Sequence, residues 1–104
     1  MSFPEIKNKQ GPIILVAHVY AKSSQEENCL KHLLAIRDYS VSDKEPGTLT
    51  YRVTRSEENE GLFVVFEEYK NEQSVKDHAN ADGFQNLLKS GSVEKAEIKF
   101  YNEQ

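Results

Sequence analysis

The sequence predicts an α+β fold in which two helices cover one face of a four-stranded antiparallel sheet. Segments with strand character and segments with helical periodicity follow one another in the order β-α-β-β-α-β. The short polar link TRSEENEG joins the two middle strands, as in an antiparallel hairpin. A chain of 104 residues has the length of one domain, so we expect all six elements to share one core.

The chain begins with a polar segment that leads into an apolar strand. We expect residues 1–11 to form a flexible segment and residues 12–104 to form the single domain. The strand segment is PIILVAHVYAK. Successive residues of a strand point to opposite faces, and here both sets are largely apolar. This pattern predicts that both faces of the strand are covered.

The first helix is predicted to begin at one of two serines. A serine followed three residues later by a glutamate forms a capping box, and two such pairs are present, Ser23–Glu26 and Ser24–Glu27. Leucines then recur at helical spacing along one face. The helix is expected to end in SVSDKEPG, because Pro and Gly turn the chain there.

The two middle strands are TLTYRVTRS and LFVVFEEYK. On the first of them, strict alternation places Leu49, Tyr51 and Val53 on one face and the threonines with Arg52 on the other. The next strand is apolar on both faces until it ends in two glutamates and a tyrosine. This pattern predicts that both faces of this strand are covered as well.

A second helix and a last strand complete the order. Asn71 is a good N-cap for the helix NEQSVKDHANA, and Asp82 is expected to cap a short further turn that carries Phe84. The last strand is SVEKAEIKFYN. With it, the order of elements is that of the ferredoxin-like split βαβ arrangement.

The apolar residues on both faces of two strands predict a partner subunit. In this arrangement the helices cover only one face of the sheet, so the other face would be bare. A bare apolar surface of this size in a globular protein indicates an interface. We therefore expect a homodimer in which two sheets pack face to face.

The net charge and the composition limit which other partners and which cellular compartment are expected. The net charge is −4, acids and bases are mixed along the chain, and no block of Lys and Arg exists, so nucleic acid and anionic membranes are not expected partners. The N-terminal residues lack the apolar core of a signal peptide, and no apolar run is long enough to span a membrane. The lone Cys29 suits a reducing compartment. We expect a cytoplasmic protein.

Three short pieces of the chain match one known pattern in order and in spacing. They are the turn and strand EPGTLTY (residues 45–51), the strand end Glu67-x-Tyr69, and His78, eleven residues after Glu67, with the apolar Phe84 beyond it. Together they resemble the antibiotic biosynthesis monooxygenase superfamily of dimeric α+β barrels. The similarity extends over residues 12–101.

The resemblance implies a fold and a set of reactions. The superfamily includes quinol and anthrone monooxygenases, haem-degrading enzymes, an isomerase-like branch and members with no known activity, and fold alone does not choose among them. Members of the oxygenase type need no metal, flavin or haem, because the anion of an electron-rich phenol or quinol reacts with oxygen directly. The haem-degrading branch is disfavoured, because its pocket resembles one built with a tryptophan and this chain has none.

His78 and Glu67 are the predicted catalytic residues. His78 lies on a helix face with Val75 and Ala79, so it should point inward, and an imidazole accepts a proton near neutral pH. Glu67 lies on an apolar strand face, where a carboxylate is costly unless it is paired, and it is expected to orient His78. The alternative is structural: the histidine fixes helix to sheet, and the acid reaches solvent or caps the next helix.

Five further side chains are candidates for substrate binding. Tyr51 has a hydroxyl that can bond a substrate oxygen, Tyr69 is similar, and Phe84 is an apolar contact, although core packing is the common role of such residues. His18 lies on an apolar face of the first strand and is either a pocket residue or a histidine of the dimer core. Arg52 either binds an anionic substrate or pairs with an acid across the sheet.

The sequence favours one function and leaves two alternatives open. The three histidines and one cysteine have no metal-ligand spacing, and no phosphate-binding glycine loop is present, so we expect no metal and no cofactor. The favoured function is a cofactor-independent monooxygenase acting on a small aromatic quinol or phenol. The alternatives are a non-catalytic dimeric barrel that binds a small ligand or responds to stress, and an isomerase-like activity on a small carbonyl metabolite.

Overall fold

The structure, a computed structural model, describes residues 3–104 and contains four strands and three helices. In chain order they are β1 (Ile13–Ala21), α1 (Glu26–Ser40), β2 (Thr48–Arg55), β3 (Leu62–Tyr69), α2 (Glu72–Asn80), α3 (Asp82–Lys89) and β4 (Val93–Tyr101). No helix among these residues is both long enough and apolar enough to cross a membrane.

The strands form one antiparallel sheet in the order β2-β3-β1-β4. β2 and β3 are the predicted hairpin, and β1 lies between β3 and β4. This order confirms the ferredoxin-like arrangement. The two central strands, β1 and β3, are those whose sequences are apolar on both faces.

All three helices pack on the same face of the sheet, and the core lies between them. Phe63 and Leu15 from the sheet and Leu33 from α1 are almost fully buried there. Val75 of α2 and Leu87 of α3 complete the same cluster. On the other face no helix covers the strands within residues 3–104, and Phe66 of β3 is 38% exposed.

The helix starts show where capping was predicted well and where it was not. The Oδ1 atom of Asn71 accepts a hydrogen bond of 2.9 Å from the Ser74 amide, which confirms the cap of α2. The capping boxes predicted at Ser23 and Ser24 are wrong. Ser24 has φ 71°, and α1 begins only at Glu26. The chain is still turning at Ser24, so neither serine reaches the amides of the first helical turn.

The second helical region is two helices rather than one helix with a further turn. Ala81 has φ −70° and ψ 153°, an extended conformation that separates α2 from α3. Asp82 is the first residue of α3, and Ala81 occupies the cap position without a side-chain hydrogen bond. The break turns α3 so that the ring of Phe84 lies 6.1 Å from that of His78.

A bulge at the start of β2 overturns the strict alternation predicted for this strand. The register with β3 shifts between Thr48 and Thr50, so one extra residue is accommodated. Thr48 is consequently buried on the helix side, whereas Leu49 is 51% exposed. The predicted common face of Leu49, Tyr51 and Val53 therefore breaks at Leu49, and a threonine hydroxyl enters the interior instead.

Candidate functional site

His78 lies between α2 and the sheet at the centre of a group of aromatic rings. Its side chain is 2% exposed. Its ring centroid is 5.4 Å from that of Tyr51, 5.3 Å from that of Tyr69 and 6.1 Å from that of Phe84. The inward orientation predicted from the helix pattern is confirmed. A polar ring in such apolar surroundings needs hydrogen-bond partners.

Glu45 is the acid within hydrogen-bond distance of this histidine. Its Oε2 atom lies 2.9 Å from His78 Nδ1, and the Ser40 hydroxyl is 3.3 Å from the same nitrogen. Because an ionised carboxylate only accepts hydrogen bonds, this contact places the proton on Nδ1. The basic lone pair then belongs to Nε2, on the opposite side of the ring.

Two local features bring Glu45 to this position. The bulge in β2 turns Thr48 inward, and its hydroxyl donates to Glu45 Oε2. Gly47 lies against the first turn of α2, where a Cβ atom at this position would collide with the side chain of Ser74. The Glu-Pro-Gly turn can therefore pack directly under the helix that carries His78.

The surroundings of Glu45 favour its ionised form. Burial alone would raise the pKa of this carboxyl, but hydrogen bonds from His78 and Thr48 outweigh burial and hold the pKa below its ordinary value. The second oxygen, Oε1, is buried and has no hydrogen-bond partner in residues 3–104. The charge is thus carried by one well-bonded oxygen and one that is unsatisfied.

Glu67 lies on the other side of the same imidazole ring, and its pKa is shifted in the opposite direction from that of Glu45. It is 5% exposed, accepts a hydrogen bond from the Tyr69 hydroxyl, and has Oε1 3.7 Å from His78 Nε2, which is too long for a hydrogen bond. Burial raises its pKa to about 7, more than His78 and the Tyr69 hydrogen bond lower it. Near neutral pH this carboxyl therefore both gives and accepts a proton.

The two tyrosines of the site remain protonated. Burial, followed by the negative charge of Glu67, raises the pKa of Tyr51 and of Tyr69 well above the ordinary tyrosine value. The hydroxyl of Tyr69 donates its hydrogen bond to Glu67. Tyr51 lines a small cavity beside His78, so its hydroxyl is available as a hydrogen-bond donor to a ligand.

A small, largely enclosed chamber lies against His78. It has a volume of about 20 Å³, and its walls include Tyr51, Glu67, His78 and Phe84. A space of this size holds about one water molecule. One acid, one imidazole and one phenol therefore line a chamber that, as it stands, is too small for an aromatic ring.

The structure divides the seven residues predicted from the sequence into two groups. Five of them, His78, Glu67, Tyr51, Tyr69 and Phe84, lie together on the helix side of the sheet.

The other two, His18 and Arg52, lie on the opposite face. His18 pairs with Val64 and Glu97 across the sheet, and Arg52 pairs with Phe66. That face is the one predicted to meet a partner subunit, so neither residue contributes to the chamber at His78.

Sequence reasoning did not identify Glu45, Ser40 and Thr48 as members of the site. Glu45 belongs to the Glu-Pro-Gly turn, and the sequence pattern alone indicates no partner for its side chain. The signal that could have identified it is an acid at a Pro-Gly turn, directly before a strand that carries an inward tyrosine. Within residues 3–104, no group of three or more His, Cys, Asp or Glu side chains is arranged to hold a metal ion.

A comparison with protein families identifies the chain. The profile of the antibiotic biosynthesis monooxygenase family matches residues 12–90, which is most of the sequence. The chain belongs to this family. The resemblance seen in the sequence is thereby confirmed at the level of the family. A comparison with curated proteins finds no match.

Solved structures of the same fold come from several microorganisms. A protein of Pseudomonas aeruginosa superposes with a TM-score of 0.84 at 19% identity, covering 93% of this chain and 98% of its own. A conserved protein of Methanosarcina mazei Go1 gives 0.78 at 25% identity, with 90% and 94% covered. A protein of Caulobacter crescentus CB15, named a candidate antibiotic biosynthesis monooxygenase, gives 0.79 at 26% identity, with 91% and 92% covered.

Proposed function

We propose that this family member is a cofactor-independent monooxygenase that acts on a small aromatic phenol or quinol. The observation that carries the proposal is the fixed imidazole of His78. Glu45 holds Nδ1 at 2.9 Å, and Nε2 lies on the side of the ring that faces Glu67, with which His78 lines the apolar chamber. A buried imidazole whose Nε2 is too far from Glu67 for a hydrogen bond is free to take up a phenolic proton.

The proposed reaction balances with molecular oxygen as the second substrate. Nε2 of His78 takes the phenolic proton, and the resulting phenolate gives one electron to O₂. The phenoxyl radical and superoxide combine at the ring carbon opposite the hydroxyl, and His78 returns the proton to the peroxide. The O–O bond and the C–H bond at that carbon then break. A phenol and one O₂ thus give a quinone and one water.

Three neighbouring side chains have defined roles in this proposal. Glu45 is a positioning residue that sets the tautomer of His78 and stabilises its protonated ring. Glu67 is the second catalytic group, because its pKa of about 7 lets it exchange a proton with substrate or solvent. Tyr51 donates a hydrogen bond to the substrate oxygen, where negative charge develops.

Oxygen uptake tests this function directly. The purified protein is supplied with 1-naphthol or anthrone in an oxygen electrode, and the product quinone is quantified beside the oxygen consumed. We expect uptake above the spontaneous rate, with one quinone formed per O₂. His78→Ala should lower the enzymatic rate by roughly 100-fold or more.

The matched control is His32→Ala, a partly exposed histidine of helix α1 that lines neither the chamber nor the open sheet face. It should retain the native rate, and circular dichroism should show that both variants are folded. Native protein without uptake on either substrate, or equal rates for wild type and His78→Ala, would contradict the oxygenase. Saturable binding without turnover would then favour the ligand-binding alternative, and anaerobic proton exchange on a carbonyl compound would favour the isomerase-like one.

We further propose that two copies associate through the open faces of their sheets. This face carries exposed apolar residues in the described chain, including Phe66 at 38%, Tyr101 at 48% and Leu49 at 51% exposure. The central strands beneath them are apolar as well. An apolar sheet face of this kind is stabilised when a second copy covers it.

Sedimentation tests the dimer. Wild-type protein at micromolar concentration should sediment as a dimer, and Phe66→Asp should raise the dissociation constant by roughly 30-fold or more. Tyr39→Asp is the matched control, because Tyr39 is 43% exposed on the helix side. A wild-type monomer at these concentrations would overturn the proposed association.

A further inference from the structure

The chamber beside His78 is too small to admit an aromatic ligand as it stands. Its volume of about 20 Å³ is far below that of an aromatic ring system. Two of its walls are the side chains of Phe3 and Phe84. These rings meet edge to face, with centroids 5.4 Å apart and an interplanar angle of 84°. They therefore close one side of the chamber.

A much larger groove lies on the other side of the same two rings. It has a volume of about 440 Å³ and runs between the N-terminal segment, helices α2 and α3, and the end of β4. Phe3 and Phe84 line it as well as the chamber. Its volume is within the roughly 300–1,000 Å³ of typical small-molecule sites. The groove and the chamber thus share a wall of two side chains.

The groove is chemically suited to an uncharged aromatic molecule. Its floor is apolar and includes Val75, Ala79 and Leu88. The charged groups of its rim are mixed in sign, since Glu5 and Glu72 are joined by Lys76. A ligand with a net charge finds no matching cluster there, whereas one or two fused rings would bury their faces on the floor.

The segment that forms the outer wall is held mainly by side chains. Within residues 3–12, no backbone–backbone hydrogen bond joins the segment to the rest of the described chain. Ile6 is buried in the core, Phe3 packs on Phe84, and Lys9 forms an ion pair of 3.3 Å with Glu72. An ion pair as exposed as this one adds little stability. Opening the wall therefore breaks few interactions.

This segment also lies outside the family match, which covers residues 12–90. The flexibility predicted for residues 1–11 stays a prediction, and residues 1 and 2 lie outside the described residues. Within residues 3–11, Phe3 and Ile6 contact the core and line the groove. Through these contacts the N-terminal segment forms part of the site, although the family profile does not include this segment.

We propose that the groove is the route by which substrate enters the His78 site and that it binds an uncharged phenol of one or two rings. In this proposal Phe3 is the movable wall between the groove and the chamber. The proposal rests on the proposed function for the identity of the ligand. Displacement of Phe3 joins the two spaces, so that the phenolic end of the ligand reaches His78 while its rings stay in the groove.

Binding of 1-naphthol tests the proposal without any need for turnover. Titration under nitrogen, followed by naphthol fluorescence, should give saturable binding, and the imidazole NMR signals of His78 should shift on binding. The signals of His18, on the opposite sheet face, serve as the internal reference and should not shift. Binding that leaves the His78 signals unchanged would overturn the link between groove and chamber.

Variants that fill the groove provide the second arm. Ala79→Trp should weaken binding by about tenfold or more, because the indole occupies the floor of the groove. Leu88→Trp serves the same purpose from α3 if the first variant does not fold. Ala35→Trp, on an exposed position of α1, is the matched control and should bind as wild type does. Unchanged affinity in a folded groove-filling variant would overturn the proposed site.

The rate of binding tests the movable wall. In stopped-flow mixing, Phe3→Ala should speed 1-naphthol association by about fivefold or more, because the wall no longer has to move. Equal association rates for wild type and Phe3→Ala would overturn the role of Phe3. The two proposals can fail separately. If naphthol binds in the groove and shifts the NMR signals of His78 but no oxygen is consumed, the oxygenase proposal is contradicted and the groove proposal still stands.

Discussion

The two faces of the sheet carry the same kinds of residue in opposite settings. On the helix side, His78 is 2% exposed and lies between two buried acids, Glu45 and Glu67. On the open side, His18 is only half-buried and pairs with Val64 and Glu97 across the sheet. Each face thus has a histidine and acids, but only one face holds them in a closed polar cluster.

The difference shows what burial adds to a group of polar residues. Inside the core, water cannot replace a missing partner, so each polar atom depends on a particular neighbour. On the open face, solvent competes with every contact, and an ion pair or hydrogen bond contributes little. Equivalent substitutions on the two faces should therefore have unequal effects on the stability of the protein.

The largest difference is expected between two glutamates. Glu45→Ala should lower the free energy of unfolding by about 3 kcal/mol at pH 7, because it removes the buried partner of His78. Glu68→Ala, on the open face, removes an acceptor that Thr50 reaches at 3.2 Å and should cost less than about 1 kcal/mol. Urea unfolding at one protein concentration measures both values.

The pH dependence of the Glu45 effect follows from the sign of its shift. Its pKa is lower in the folded protein, so its stabilising contribution is present above the ordinary glutamate value and is lost as the pH falls through the lowered pKa. The difference between wild type and Glu45→Ala should therefore shrink in acid. Equal costs for the two glutamates at pH 7 would remove the distinction between the faces.

Glu67 should produce the opposite pH dependence. Its pKa rises from 4.5 to about 7 on folding, so the folded protein holds this proton more tightly than the unfolded chain. The contribution of Glu67 is complete below pH 4.5 and is lost as the pH rises to about 7, by roughly 3 kcal/mol in total. Unfolding of wild type and Glu67→Gln at a series of pH values measures it.

The glutamine variant should lack this part of the slope, because the amide does not titrate. If Glu67→Gln retained the wild-type slope, the shifted group would lie elsewhere in the protein.

The smallest difference is expected between two threonines of β2. Thr48→Val removes the buried hydroxyl that donates to Glu45 and should cost about 1 kcal/mol. Thr50→Val removes the hydroxyl that donates to Glu68 on the open face and should be nearly neutral, since valine suits an edge strand. Thermal unfolding resolves the two, and a cost for Thr50→Val as large as that of Thr48→Val would contradict the comparison.

Much of the fold could be predicted because it depends on local patterns. The order of elements, the hairpin between β2 and β3, and the Asn71 cap follow from periodicity, a polar link and a single side chain. The errors have equally local causes. The serines before α1 form a turn instead of a helix cap, as the left-handed φ of Ser24 shows. One extra residue at Leu49 reverses which side chains face the helices at the start of β2.

The candidate site could be predicted only in part. Helical spacing predicts that His78 points inward, and strand alternation places Glu67 on an apolar face of its strand, so the acid is expected to orient the histidine. Which acid bonds the ring depends on differences of about 1 Å, since Glu45 lies at 2.9 Å from Nδ1 and Glu67 at 3.7 Å from Nε2. No sequence period resolves a distance of that size.

The sequence by itself determined the family, the order of the elements and the inward orientation of His78 on its helix, because these depend on residue types and their spacing along the chain. The tertiary structure alone decided that Glu45, 33 residues away along the chain, holds His78, and that Phe3 closes the chamber from the far end of the sequence. Such contacts join segments whose relative positions are set by packing, by a bulge and by a glycine without room for a side chain.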